Sequence, residues 1–439
     1  MFKYYIDILN RKLLKYKDYP IAIYGSGNHT KILLDNILYK ENIIGIIDRN
    51  NIGDCIFGYK IFEIDQLKNN IKAIIISSDV YQDIIYDRIK YLEKLGIELI
   101  KIYETDEEII NKWKDNQNVY ERNTILFYPN YDWQLNNQIF NENDMLNNIN
   151  KNLFKRLSEQ MLIKGYTLKT LDNGNMKTAK WIIFNNINKE TNIFLNYCLE
   201  NNINNLILFI WEPEVVQREI YNKELHKYFK YVFTWMDDLV DNKKYFKFWY
   251  TKSDDLKPTI KYDFYERKLC TLIAGNKYSK EKNELYSLRR KAIDFFEDKY
   301  CTQFDFYGAG WEGKGYLSYK GKLKYKQPIL SKYKFCICFE NQKEVNGYVT
   351  EKILDCLLSG CVPIYLGAKN ILDYIPEDVF IDMRKFNDYD ELYLYISKMD
   401  EFTWNKYLKC INNFVNSNEF MKFKDSYLCK YISDFLLEE

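Results

Sequence analysis

The residues best suited to chemistry in this chain lie between Phe335 and Gly367. Phe335 to Phe339 is a short apolar run that ends at Glu340 and Asn341, the pattern of a buried strand. Ile353, Leu354, Leu357 and Leu358 then recur at helical spacing, and Gly360 stands where a helix C-terminus needs a residue tolerant of positive φ. Val362 to Leu366 is a second β-rich run, closed by Gly367. Thr350, Glu351 and Lys352 therefore fall in the first turn of a helix that follows a strand. Free backbone N–H groups and the helix dipole receive phosphate at such a place. Lys352 adds a mobile positive charge there, and Glu351 can accept a sugar or ribose hydroxyl. This spacing points to a nucleoside-diphosphate site.

A further carboxylate stands out upstream. Leu206 to Ile210 reads as a buried strand, and Trp211, Glu212 and Pro213 follow it directly. Glu212 thus sits at a strand end, where α/β lobes carry their catalytic groups. Glu214, two residues on, is its rival and reads more readily as an exposed turn carboxylate. Asp237 and Asp238, after the aromatic run Tyr231 to Trp235, are candidates for an acceptor cleft, and the aromatics themselves read as core.

These groups must be carried by a large α/β framework. A chain of 439 residues, 47% hydrophobic, has room for two or three domains with real cores. Its 63 basic and 62 acidic residues nearly cancel, which gives no argument for nucleic acid or for an acidic partner surface. The first residues are too polar for a signal peptide, and no apolar run approaches a membrane span. The ten cysteines form no CxxC pair, and Cys336 and Cys338 share one strand face as small buried residues would. With His29 and His226 as the whole imidazole supply, metal or triad chemistry built on histidine has almost no material. No metal site is expected.

Three α/β segments follow one another. Residues 1–104 alternate strand and helix, with strands at Ile21–Tyr24, Ile43–Ile47, Ala73–Ile76 and Ile97–Ile100. Gly25 and Gly27 match the first two glycines of a dinucleotide fingerprint, Thr30 replaces the third, and Asp48 ends the second strand where it could bind a ribose. The reading is a Rossmann-like accessory domain for a nucleotide or nucleotide sugar; the alternative is a scaffold that keeps its glycine turn for packing. Residues 105–122 are polar and make a linker. The α/β pattern resumes over 123–261 and again over 262–439.

The ordered positions Phe339, Glu340, Asn341, then Tyr348 to Lys352, then Gly360, Val362, Pro363, Leu366 and Gly367 carry a resemblance. They look like the donor-binding signature of the α-1,3-fucosyltransferases, glycosyltransferase family ten, of the bacterial type, and Tyr374 to Asp382 extends the likeness. Several positions in order over some fifty residues are far more specific than one short match. The resemblance implies two Rossmann-like lobes in GT-B arrangement, 123–261 for the acceptor and 262–439 for the donor, preceded by the small N-terminal α/β domain.

It also implies an inverting enzyme that moves L-fucose from GDP-fucose to a hydroxyl of a glycan, through an α-1,3 linkage, in surface polysaccharide or lipopolysaccharide synthesis. Glu212 would be the catalytic base, and Asn276, Lys314, Asn341, Tyr348, Glu351 and Lys352 would hold the donor. No cofactor or metal is required by that scheme, and nucleic acid has no part in it. The place would be the cytoplasm, with peripheral association at the inner face of a membrane. One departure is that relatives carry a diphosphate-binding arginine just after the segment matching Phe304 to Gly308; this chain has none there, and Lys314 is the substitute. The alternatives are a GT-B transferase with another nucleotide sugar, a non-catalytic nucleotide-sugar-binding protein, and, more remotely, a dinucleotide-dependent oxidoreductase.

Overall fold

The computed structural model describes residues 6, 9–10, 12–78, 81–103, 123–129, 134–140, 151–187, 192–256, 258 and 262–438. The expected linker over 105–122 lies outside them. Two compact units are described in turn.

The first holds β1 (Ile21–Tyr24), β2 (Ile43–Ile47), β3 (Cys55–Ile56), β4 (Tyr59–Phe62), β5 (Ala73–Ile76) and β6 (Glu98–Lys101), in the order β3-β4-β2-β1-β5-β6. All neighbours are parallel except the β3–β4 hairpin. That hairpin was not expected from the sequence. It turns on Phe57 and Gly58 with φ of 54° and 85°, a pair of left-handed residues that suits the strand twist but lacks the usual Asn-Gly signal. Helix α1 (Asn28–Asn36) starts at Gly27. Thr30, in place of the third fingerprint glycine, is buried and donates its hydroxyl to the Gly25 carbonyl at 2.6 Å. A side chain thus fills the contact that a glycine would leave close.

The second unit has two parallel sheets, the GT-B arrangement. One runs β12-β11-β10-β9-β7-β8, from β7 (Thr124–Tyr128), β8 (Thr167–Thr170), β9 (Trp181–Asn185), β10 (Leu206–Ile210), β11 (Tyr231–Thr234) and β12 (Tyr245–Lys247). The other runs β14-β13-β15-β16-β17, from β13 (Lys268–Ile273), β14 (Phe304–Tyr307), β15 (Tyr333–Phe339), β16 (Val362–Leu366) and β17 (Ile381–Asp382). Every residue of β10 is buried, as the near-continuous apolar runs of a doubly covered parallel sheet require. Helix α2 (Lys151–Ile163) covers the first sheet, and α3 (Tyr286–Tyr300) and α4 (Glu351–Leu358) flank the second.

The last helix corrects the expected lobe boundary. α5 (Asp425–Glu438) lies within the stretch assigned to the donor lobe, yet its buried Leu428, Cys429, Ile432 and Leu436 join the core of the first lobe. Trp181 of β9 donates its indole N–H to the Leu436 carbonyl at 2.9 Å, and Lys164 pairs with Asp434. The chain crosses back, and the apolar stripe of α5 is buried against the first lobe.

Gly308, after β14, permits the closest backbone approach beneath the site. Its φ is +147°, and a Cβ there would lie 1.9 Å from the Ala274 carbonyl oxygen. Gly308→Ala should cost about 1–3 kcal/mol from the strained backbone alone, before the clash is counted. Gly275→Ala, whose added carbon meets nothing nearer than 3.6 Å, should be tolerated. Paired urea unfolding curves would check this; equal midpoints would contradict it.

Candidate active site

The end of β10 positions Glu212 through its backbone. Asn186, just past β9 with φ of 51°, accepts the N–H groups of Trp211 and Glu212 on one side-chain oxygen at 2.7 and 3.0 Å. Tyr221 donates its hydroxyl to the Glu212 carbonyl at 2.8 Å, and Tyr250 donates to the Trp211 carbonyl. The Trp211 ring stacks on Phe248 with centroids 4.6 Å apart. The Glu212 backbone is thereby fixed, while no hydrogen bond from the described residues reaches its carboxylate. Burial raises its pKa; Lys277 and Lys352 pull it down, and Glu351 pushes with the burial. A carboxylate held this way is a stronger base than one in water.

Glu212 lines a cavity of about 370 Å³ together with Lys277, Arg289, Lys326, Asn341, Tyr348, Glu351 and Lys352. Four cations against two carboxylates make it net positive. Glu214 is exposed and stands outside, with Arg218 3.8 Å away.

Helix α4 meets the cavity with its N-terminus. Thr350 is the N-cap, its hydroxyl accepting the Lys352 N–H at 3.4 Å. The backbone N–H groups over 349–351 are less available than expected. Val349 donates to the Gly347 carbonyl at 2.9 Å, and Thr350 donates to Glu340 at 2.8 Å. Glu340, with none of its surface exposed, also accepts the Thr350 hydroxyl at 2.6 Å and pairs with the Lys352 ammonium at 3.3 Å. Burial raises the Glu340 carboxyl, against Lys352 and the Thr350 hydroxyl. Glu351 goes the other way. Burial acts to raise it as well, but Lys352, Lys326 and Lys252 outweigh that and bring it to about 2. Of the two, Glu351 is the one its neighbours favour as a carboxylate.

Of the other expected donor residues, Asn341 and Tyr348 line the cavity. Asn341 accepts from Arg289 at 3.0 Å, and Tyr348 is fully buried with its ring centroid 4.6 Å from that of Trp235. Asn276 and Lys314 do not line it. Asn276 turns its amide to the Gly310 carbonyl at 3.0 Å, and Lys314 is exposed in the glycine-rich loop after Trp311. Lys314 thus stands outside the lining of this cavity. The arginine at this site is Arg289 on α3, buried and held to the Phe339 carbonyl at 2.6 Å through Nη2 and 3.2 Å through Nε. Sequence reasoning missed it because it looked for an arginine after Gly308. It also missed Lys326, Lys277 and the paired role of Glu340. One signal was present: an arginine inside an otherwise apolar helical stripe is rarely buried without a task.

Asp237 is spent on structure. It accepts from Lys247 and Tyr374 at 2.6 Å each and from Asn370 at 2.8 Å, while Asp238 accepts from Asn346 at 2.9 Å. In the first unit, Gly25 has φ of +112° and Gly27 is the N-cap of α1. Asp48, however, uses both oxygens on its own loop. Ser26 donates its N–H and hydroxyl at 2.9 and 2.6 Å, and the N–H groups of Arg49 and Asn50 donate at 2.7 and 3.0 Å. A ribose would have to displace Ser26. Among the described residues no cluster of His, Cys, Asp and Glu is arranged to hold a metal ion, and no helix is long and apolar enough to cross a membrane.

Residues 278–436 match the model of glycosyltransferase family 10 (fucosyltransferase) C-term. This segment belongs to glycosyltransferase family 10. It contains Arg289, Glu340, Asn341 and the whole of α4. The chain is 43% identical over 72 residues to an alpha-(1,4)-fucosyltransferase of Arabidopsis thaliana, a stretch covering 16% of this chain and 18% of that protein. It is 43% identical over 75 residues to the alpha-(1,3)-fucosyltransferase FucT of Helicobacter pylori, covering 17% of this chain and 15% of that one. The matched stretches thus span less than a fifth of these two relatives' length. A crystal structure of an alpha1,3-fucosyltransferase aligns with a TM-score of 0.47 at 18% identity, over 73% of this chain and 90% of that one.

Proposed function

We propose that this family 10 chain transfers L-fucose from GDP-fucose to a hydroxyl of a glycan, with inversion at the anomeric carbon. The observation that carries the reading is the shared cavity. A poised base from one lobe and the phosphate-compatible cations of the other line the same 370 Å³. The two curated relatives are named for fucose transfer, which favours that sugar. With Arg289 in the cavity, the departure noted after Gly308 no longer argues for a different donor.

In this scheme the acceptor oxygen bonds to C1 as Glu212 takes its proton, and the bond from C1 to the diphosphate oxygen breaks opposite. GDP departs with added negative charge, which Lys352, Arg289 and Lys277 stabilise. Glu351, held ionised, favours the positive charge that develops on the ring and accepts sugar hydroxyls. The protein's own cations meet the diphosphate, so turnover is expected to persist in EDTA. An α-1,3 linkage, a cytoplasmic site of action and a role in surface-glycan synthesis complete the reading.

The test is a donor panel on the full chain, following nucleotide release from GDP-fucose, GDP-mannose and UDP-sugars with galactose- and N-acetylglucosamine-containing acceptors. Release from GDP-fucose, increased by an acceptor, is the expected result. Release from a different donor would keep the mechanism and discard the sugar, and binding without turnover would overturn the enzyme reading.

A further inference from the structure

Lys326 has no part in the motif that marks this site. It precedes the short helix Gln327–Leu330, which runs into β15, and its ammonium reaches into the cavity wall. There it stands 2.9 Å from Asp355 and 3.8 Å from Glu351. Asp355 is one helical turn beyond Glu351 on α4, so both carboxylates face the same side. Asp355 is in turn held at 2.5 Å by Lys252, which comes from the segment crossing between the lobes. Lys252 is itself anchored, its backbone N–H donating to the Phe423 carbonyl at 2.8 Å. The result is a chain of alternating charges, Lys252, Asp355, Lys326, Glu351, that ends at the donor cavity.

We propose that Lys326 is a positioning residue for the transfer reaction: clamped by Asp355, it fixes the Glu351 carboxylate in the donor cavity and keeps it ionised there. The inference rests on the donor-site reading above and adds a residue to it. Burial of Glu351 works against its charge, so the charge must be paid for by neighbours. The groups that face it are the ammoniums of Lys352, Lys326 and Lys252, the carboxyls of Glu212, Glu340 and Asp355, and the phenols of Tyr250 and Tyr348. Lys352 is shared with Glu340, to which it is nearer, at 3.3 Å against 3.9 Å from Glu351. Lys326 has no such second claim from β15. Its other partner, Asp355, is already neutralised by Lys252. Lys326 thus reaches Glu351 about as closely as Lys352 does, at 3.8 Å against 3.9 Å, and from a separate element of the fold.

The sign follows from the geometry. An ionised Glu351 is the form that accepts sugar hydroxyls; the acid limb of the rate belongs to Glu212, whose carboxyl burial raises, so the Glu351 titration has to be read directly. Removing Lys326 raises the Glu351 pKa. Lys326→Met should move the titration midpoint of the Glu351 carboxyl upward by about one to two pH units, as expected for losing an opposite charge at this range, and should weaken GDP-fucose more than GDP. Lys326→Arg should restore both, and Lys326→Gln repeats the test if the methionine variant folds poorly. GDP, which lacks the sugar, serves as the control ligand. A Lys326 that only bound phosphate would weaken GDP and GDP-fucose by the same factor and leave the Glu351 midpoint in place, which would overturn the proposal.

The direct readout separates this proposal from the donor reading. In protein carrying 13C-labelled glutamate, the Glu351 carboxyl signal, assigned by its loss in Glu351→Gln, reports the titration without turnover. An upward-shifted midpoint in Lys326→Met supports the positioning role even if no donor on the panel is used. An unmoved midpoint refutes it even if GDP-fucose is turned over.

Discussion

Glu212→Gln is expected to lower kcat for transfer by roughly a hundred- to ten-thousand-fold, the usual contribution of a positioned general base. The KM for the donor should change little, because the amide keeps the shape and the backbone clamp from Asn186 and Tyr221 is untouched. Glu214→Gln, at an exposed site outside the cavity, should leave the rate unchanged. The pH profile carries the same assignment. Burial raises the Glu212 pKa, so the wild-type rate should climb with pH through a limb lying above the ordinary glutamate range. That limb should vanish in the variant. Stability should move the other way. A carboxyl whose folded pKa is raised binds its proton more tightly in the native state, and stability falls as pH rises through that window. Glu212→Gln removes the penalty and should unfold at a higher temperature near neutrality than wild type. A variant that stays active would strip Glu212 of its role, and loss of activity with a lower Tm would leave only a structural one.

Local order was legible in the sequence wherever one segment carried the whole signal. The strand ending at Phe339, the Thr350 cap, the stripe of Ile353, Leu354, Leu357 and Leu358, and the φ of +61° at Gly360 are all written in consecutive residues. Glu212 could be found for the same reason, since a buried strand runs straight into it. What could not be read was convergence. Arg289 and Lys326 reach the cavity from elements 62 and 25 residues before Glu351 in the chain, and nothing local marks where their side chains end. Glu340 was visible as a strand boundary but not as the acceptor that uses up the Thr350 N–H, because that bond forms only when β15 and α4 pack. The path of α5 was hidden likewise. Its apolar stripe says that it must be covered and does not say by which lobe. Lys314 shows the converse, in that proximity along the chain did not place it in the cavity lining.

Glu340→Ala should be the most destabilising single change at the site, by about 3–5 kcal/mol, because it breaks a buried pair from one side. The loss is not of one contact. The Thr350 N–H and hydroxyl lose their acceptor, and the Lys352 ammonium is left partly buried beside Glu351, which is 3.9 Å away and already engaged with Lys326. Glu340→Gln keeps an oxygen for Thr350 and gives up only the charge, so it should cost distinctly less. The difference between the two variants therefore separates the hydrogen-bonding role of Glu340 from its electrostatic one. Urea unfolding gives both values. Donor binding should follow a different order, since Lys352 keeps its charge in both variants but loses its fixed direction in both. Each should raise the KM for the nucleotide sugar by a similar factor, although their stabilities differ. If Glu340→Ala unfolds within about 1 kcal/mol of wild type, Lys352 and Thr350 have found other partners and the first turn of α4 does not depend on this carboxylate. If instead KM tracks stability across the pair, the effect on binding is one of folding and not of where Lys352 points.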